Sequence, residues 1–182
     1  FTHIKDSKRK TFAAMLSALD DAVGQVLGSL EKNGLAENTL VVFLTDNGGP
    51  TGQTTSSNLP LRGFKATTLE GGVRVPLVMS GPGIPAAQTE RAFSYVIDIA
   101  PTILEFASVA PAAGPAPITG RSLRPVLLDR AERVYGDADP VGMEAAGSAA
   151  LWKGAYKLVK DLPPHGDGLW HLYDLAGDPG ET

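Results

Sequence analysis

Near the start of the chain, apolar residues recur at steps of three and four: Phe12, Met15, Leu16, Leu19, Val23, Val26, Leu27 and Leu30. That spacing lies on one helix face and predicts an amphipathic α-helix between Asp6 and Gly34 packed on a sheet, with Leu16, Leu19, Val23 and Leu30 buried. Asp6 or Ser7 can cap its start, and Gly34 stands where a left-handed residue would stop it. After a short turn at Leu35 to Asn38 the pattern changes: from Leu40 to Leu44 apolar residues follow one another without alternation. A strand covered on both faces, as in a parallel sheet between helices, has that signature. Val75-Pro-Leu-Val-Met79 predicts a second such strand, closed by a turn at Ser80-Gly-Pro-Gly. Asp98 can cap a helix running to Ser108, with Pro101 in its first turn and Ile103, Leu104 and Ala107 facing inward. Ala110-Pro-Ala-Ala-Gly-Pro-Ala-Pro117 cannot continue a helix and reads as an extended connector. From Ala149 the segments become short (Ala-Ala-Leu-Trp, Tyr-Lys-Leu-Val-Lys, Leu-Trp-His-Leu-Tyr-Asp) and predict the strands of a small antiparallel sheet. Trp152, Tyr156, Trp170 and Tyr173 fit its packing face better than a carbohydrate platform.

The first strand stops at Thr45-Asp46-Asn47-Gly48-Gly49. In open α/β sheets ligands collect beyond the carboxyl ends of strands, where Asp46 and Asn47 fall. A carboxylate beside a carboxamide offers hard oxygen donors, a set suited to Ca²⁺ or Mg²⁺ rather than Zn²⁺. Asp46-Asn47-Gly48-Gly49 also suits a plain turn, and by itself leaves the choice open. Downstream, Asn58-Leu-Pro-Leu-Arg-Gly-Phe-Lys-Ala-Thr-Thr-Leu-Glu-Gly-Gly-Val-Arg-Val-Pro76 is dense in glycine and charge. Lys65 carries a compact charge with three donors, able to meet a tetrahedral dianion. Glu70 and Arg74 flank Gly71-Gly72 and suit an ion pair bracing the turn, while Arg62 can reach an anion or solvent. The loop from Pro50 to Asn58 is polar and without regular pattern.

Together these two stretches resemble the type I sulfatase family, arylsulfatase-like members of the alkaline phosphatase superfamily. The resemblance continues through Asp98-Ile-Ala-Pro-Thr-Ile-Leu, Gly120-Arg-Ser-Leu and Leu172-Tyr-Asp-Leu-Ala-Gly-Asp-Pro-Gly-Glu-Thr182. It implies a sulfuric ester hydrolase with Asp46 and Asn47 as calcium ligands, Ca²⁺ being preferred to Mg²⁺, and Lys65 as the catalytic residue that contacts the sulfate. Arg62, Glu70 and Arg74 would then stand behind these residues. The substrate would be a sulfated small molecule or sulfated glycan, and the compartment periplasmic or secreted, with the cytoplasm left open. Family members use a formylglycine nucleophile made from a cysteine or serine in a Cys/Ser-x-Pro/Ala-x-Arg motif. The chain has no cysteine, and Ser122-Leu-Arg-Pro has its proline and arginine in the wrong order. The expectation is therefore a C-terminal half whose nucleophile lies in a missing N-terminal part, so that this chain alone is inactive.

Composition narrows the partners. With 43% hydrophobic and 20% charged residues among 182, the chain can bury a core. Twenty acidic against sixteen basic residues give a net charge of −4, and no basic stripe is present to meet a phosphate backbone, so nucleic acid is excluded as a partner. No apolar run approaches the ~20 residues of a membrane span. His3 reads as an ordinary surface residue, His165 and His171 as structural or exposed residues without an acidic partner at metal-ligand spacing, and Asp20 and Asp21 as the solvated side of the helix. The expected fold class is α/β: part of an alkaline-phosphatase-like sandwich with a mainly parallel sheet between helices, plus the small antiparallel sheet. The expected divisions are 1–109 for the α/β part, 110–148 for a Pro/Ala/Gly-rich connector and irregular segment, and 149–182 for the antiparallel subdomain. Two competing readings are a phosphatase or phosphonate hydrolase of the same superfamily, which Asn47 in place of a histidine opposes, and a non-catalytic binding or structural module on the same fold.

Overall fold

The computed structural model describes residues 1–111 and 114–182. Ala112 and Ala113, at the centre of the expected Pro/Ala connector, lie outside the described residues. Two compact units share the chain: Phe1–Asn33, Leu44–Leu77 and Asp137–Thr182 form the first, Gly34–Phe43 and Val78–Gly136 the second.

The first unit begins with helix α1, Ser7–Lys32. Its ends follow the sequence signals: the Asp6 carboxylate accepts the Arg9 N–H at 2.6 Å, and Gly34 lies at φ +67°. Its packing does not follow them. No residue of α1 is buried; Leu16 and Leu19 are 50% and 49% exposed and Val23 and Leu30 only half-buried. The expected burial of these four is corrected, because among the described residues nothing covers their face.

The rest of this unit is a single helical turn, α2 (Glu70–Val73), laid on a four-stranded meander of β3 (Val141–Ala145), β4 (Ser148–Lys153), β5 (Tyr156–Lys160) and β6 (His171–Asp174), antiparallel throughout. Ala146 and Gly147 link β3 to β4 with positive φ at both residues, the two-residue connection that matches strand twist. The register places Ala150 opposite Val159 and Trp152 opposite Lys157. One face therefore carries Ala150, Trp152 and Val159, which form the core with Leu69 at the start of α2. Of the four aromatic residues expected to pack, Trp152 is buried and Tyr173 half-buried against this core, whereas Tyr156 and Trp170 are more than half exposed.

The second unit holds all but the last residue of β1 (Val41–Leu44) and all but the first of β2 (Leu77–Ser80), paired in a two-stranded sheet, with α3 (Ile99–Phe106) and α4 (Arg124–Leu128). β1 is half-buried at Val41 and Val42 and exposed at Phe43 and Leu44, so the expected cover on both faces is not supplied by the described residues. Asp98 does not cap α3. Its fully buried carboxylate accepts the Tyr95 N–H at 2.7 Å, the Arg121 N–H at 2.8 Å and the Tyr135 hydroxyl, tying three separate segments together. Burial and the bond to Asp98 push the Tyr135 phenol far above its ordinary range. In α3 the buried residue is Thr102, while Ile103 is 46% exposed. The stretch 110–148, expected to be irregular, contains α4 and β3. Pro125 sits in the first turn of α4, where its missing N–H is harmless.

Candidate active site

The site is assembled from backbone outward. Two glycine-rich loops lie against each other: the Gly48 N–H donates to Gly72 C=O at 2.8 Å, and the Lys65 N–H to Gly49 C=O at 3.4 Å. Asn58 clamps both. Its Oδ1 accepts the Gly49 N–H at 3.0 Å, and its Nδ2 donates to Gly49 C=O at 3.1 Å and Gly63 C=O at 3.0 Å. Asp46, Asn47 and Lys65 thus sit on two mutually hydrogen-bonded loops within one unit.

The approach is possible only because the crossing residues lack Cβ. A Cβ on Gly48 would lie 1.8 Å from Gly71 C=O, and one on Gly72 2.3 Å from Thr67 C=O. Both obstacles are backbone, which cannot rotate away as a side chain would. Gly48→Ala is accordingly expected to destabilise the fold by about 3 kcal/mol or more, at the upper end for overpacking, as read by urea unfolding. A loss below ~1 kcal/mol would show that the loops are not stacked this closely.

What the loops present is uncommitted chemistry. The Asp46 side chain is exposed and has no hydrogen bond or ion pair among the described residues. Asn47 spends its Nδ2 on Gly48 C=O at 2.9 Å, which leaves its Oδ1 free as an acceptor. Lys65 is exposed, with only its backbone engaged. Two adjacent oxygen donors in a tight glycine cradle fit a hard divalent cation, but they fill only part of its six to eight positions. Among the described residues no cluster of three or more His, Asp or Glu side chains could hold a metal.

The charged residues behind the site are arranged otherwise than their spacing suggests. Glu70 and Arg74 do pair at 3.6 Å, but the Arg74 side chain is 59% exposed, so that contact is weak. The closer partner of Glu70 is Lys157, 3.0 Å from its Oε1 and wholly buried; the Trp152 Nε1–H donates to the same oxygen at 3.2 Å. Lys157 also forms an ion pair with Oε1 of Glu181 at 2.8 Å. The other oxygen of Glu181 accepts the Glu70 N–H at 2.6 Å. Burial raises the Glu181 carboxyl above the usual carboxylate range, against the opposing pull of Lys157 and the Glu70 amide. Arg62 is exposed, but its Nη1 is engaged within the protein, donating to Glu181 C=O at 2.7 Å and the Tyr173 hydroxyl at 3.3 Å. Asp161 holds the intervening backbone, accepting the Thr68 N–H at 2.8 Å and hydroxyl at 2.7 Å.

Sequence reasoning missed Asn58, Lys157, Asp161 and Glu181. Only Asn58 carried a local signal, a carboxamide heading the glycine-rich segment. Two of the histidines, His165 and His171, line a cavity together with Arg62, Asp161 and Tyr173. His3 is exposed, and His165 meets the Phe64 ring edge-on at 5.2 Å between centroids. His171 does have an acidic partner, contrary to expectation: Asp167 lies 3.0 Å away, its carboxyl held below the usual range by the Leu169 amide and then by His171.

Comparison with known proteins gives this arrangement a context. Residues 1–109 match the model of the sulfatase family, and residues 64–182 the model described as N-sulphoglucosamine sulphohydrolase, C-terminal. A sulfatase of Formosa agariphila is 32% identical over 200 residues, an alignment covering 94% of this chain and 34% of that protein. The chain therefore spans about a third of that relative's length. The crystal structure of Ps i-CgsB in complex with k-i-k-neocarrahexaose superposes with a TM-score of 0.86 at 30% identity, over 100% of this chain and 40% of that one. The structure of BT4656 in complex with its substrate D-glucosamine-2-N,6-O-disulfate superposes at 0.68 with 28% identity, over 91% and 33%. The fold is the alkaline-phosphatase-like α/β architecture of these enzymes. Because the first family model covers more than half of the residues, including both loops of the site, this chain belongs to the sulfatase family.

Proposed function

We propose that this chain is the C-terminal part of a sulfatase that hydrolyses sulfate esters, and that Asp46, Asn47 and Lys65 are its share of the active site. One observation carries the reading. In a sulfatase-family chain, the Asp46 carboxylate, the free oxygen of Asn47 and the Lys65 side chain are left uncommitted on two loops hydrogen-bonded to each other, while the charged groups beneath them are paired.

Asp46 and Asn47 would hold calcium, whose role when bound is to neutralise and orient the sulfate beside the nucleophile. The donor set favours calcium over zinc or manganese, which imidazole would suit better. Lys65 places an ammonium where charge grows on the sulfate and leaving oxygens, and being unpaired it needs no rearrangement to do so. Gly48 and Gly49, without Cβ atoms, would let the backbone approach a bound ion. The nucleophile, a formylglycine, would come from a Cys/Ser-x-Pro/Ala-x-Arg motif outside these residues, because nothing here can supply it. A sulfated sugar is the preferred substrate class, supported by the disulfated glucosamine bound in the related BT4656 structure. A site that meets sulfated glycans fits a periplasmic or secreted enzyme.

In the complete polypeptide, Lys65→Ala is expected to lower kcat/KM on a chromogenic aryl sulfate by about 10²-fold, as for loss of one preorganised charge donor. Unchanged turnover would remove Lys65 from the site. Asn47→His is expected to shift bound metal from calcium toward zinc or manganese, measured as metal content after purification. Unchanged calcium stoichiometry would mean that Asn47 is not a ligand.

A further inference from the structure

The terminal motif Leu172-Tyr-Asp-Leu-Ala-Gly-Asp-Pro-Gly-Glu-Thr182 has no part in the chemistry above, yet its glutamate is fully enclosed. Glu181 adopts φ +57°, a conformation that non-glycine residues hold only when their surroundings impose it. The surroundings do. Asp178 accepts both the N–H and the hydroxyl of Thr182, at 2.8 and 3.1 Å, and Arg62 grips the Glu181 carbonyl. The side chain is thereby turned inward, onto the first amide of α2.

α2 cannot hold itself in place. It is one turn long, contains two glycines, and follows Leu69, whose side chain offers no capping oxygen. Glu181 supplies that oxygen from 111 residues away. Lys157 balances the charge by facing both carboxylates. On the other side of α2, Gly72 C=O receives the Gly48 N–H, and Gly48 follows Asn47 directly. No side-chain layer lies between Gly48 and Gly71 to absorb a shift, so a movement of α2 is passed to the loop in full. The geometry points to Glu181 as a positioning residue for the Asp46–Asn47 pair: it fixes α2, and α2 fixes the loop. This rests on the reading of Asp46 and Asn47 as metal ligands.

The test uses the complete polypeptide, stripped of divalent ions and titrated with calcium. Glu181→Ala is expected to weaken calcium binding ~10-fold or more, the range for groups that orient metal ligands. It is also expected to speed amide exchange at Gly48 by ~10-fold or more while amides in β4 and β5 stay within ~2-fold. Glu181→Gln keeps an acceptor for the Glu70 amide and is expected to preserve most of both. A residue that only stabilised the sheet would speed the β4 and β5 amides and leave Gly48 unchanged, which would overturn the inference. Equal loss in the alanine and glutamine variants would overturn it too. Should Glu181→Ala fail to fold, native-state exchange of the unaltered protein decides: the Glu70 and Gly48 amides are expected to open in one event with one urea dependence, and separate opening overturns the link. Asp46→Ala keeps the two readings apart. If it leaves calcium affinity unchanged, the metal assignment fails, while Gly48 exchange in Glu181→Ala still judges the role of the tail.

Discussion

Expressed by itself, the 182-residue chain is expected to hydrolyse no sulfate ester above background, even with calcium supplied. The reasoning is by subtraction. As the proposed ligands, Asp46 and Asn47 would fill a minority of a calcium shell, so affinity would be poor. Lys65 contributes one charge, and charge alone stabilises a transition state only when something attacks the sulfur. With no cysteine and no serine in the required motif, no aldehyde nucleophile can form and the covalent route is closed. The exposed apolar stripe of α1 adds a practical hazard, since unpartnered surface of that kind promotes association. The assay is an aryl sulfate incubated with the purified chain and, in parallel, with the complete polypeptide. Turnover by the chain that vanishes on Asp46→Ala would sink the account and demand a nucleophile among these residues.

Lys157→Met in the complete polypeptide is expected to destabilise the fold by about 3–5 kcal/mol near neutral pH, the usual penalty for removing one partner of a buried ionic group. Methionine fills much of the same space, so the loss is electrostatic: Glu70 and Glu181 remain enclosed with no cation between them. The pH dependence tests that cause. Glu181 already sits above its ordinary range, and losing the lysine raises it further. A carboxyl whose folded pKa is raised contributes stability below its unfolded value and loses it as pH rises through the folded value. The deficit of Lys157→Met should therefore shrink as pH falls and the Glu181 carboxyl takes up its proton. Urea midpoints at two pH values decide the matter. A deficit independent of pH would mean that the lysine acts by packing on Trp152, over whose ring it lies at 4.9 Å.

The parts of this structure legible in the sequence are those governed by local rules. The extent of α1 follows from its periodicity, Asp6 and Gly34, all within a few residues of one another. The two loops of the site follow from their glycines. Lys157 shows why the rest was hidden. In Tyr156-Lys-Leu-Val-Lys160 a reader places the tyrosine and leucine inward and the lysines outward. The strand does the reverse, burying Lys157 and Val159 and exposing Tyr156. That choice is stable only because Glu70, 87 residues earlier, and Glu181 close around the ammonium, which no local pattern can announce. Asp98 is a similar case, recruited by the distant Arg121 and Tyr135 rather than by the helix it precedes.

The tie between Glu70 and Glu181 also sets a timetable on the ribosome. With 111 residues between them and elongation at ~5–20 residues per second, the first turn of α2 is synthesised about 6–22 s before the carboxylate that caps it exists. Throughout that interval the glycine loops have only each other and Asn58 to settle against, and α2 lacks its cap. Slow codons downstream of Glu70 would prolong this interval, whereas a burst of translation through β4, β5 and the tail would shorten it.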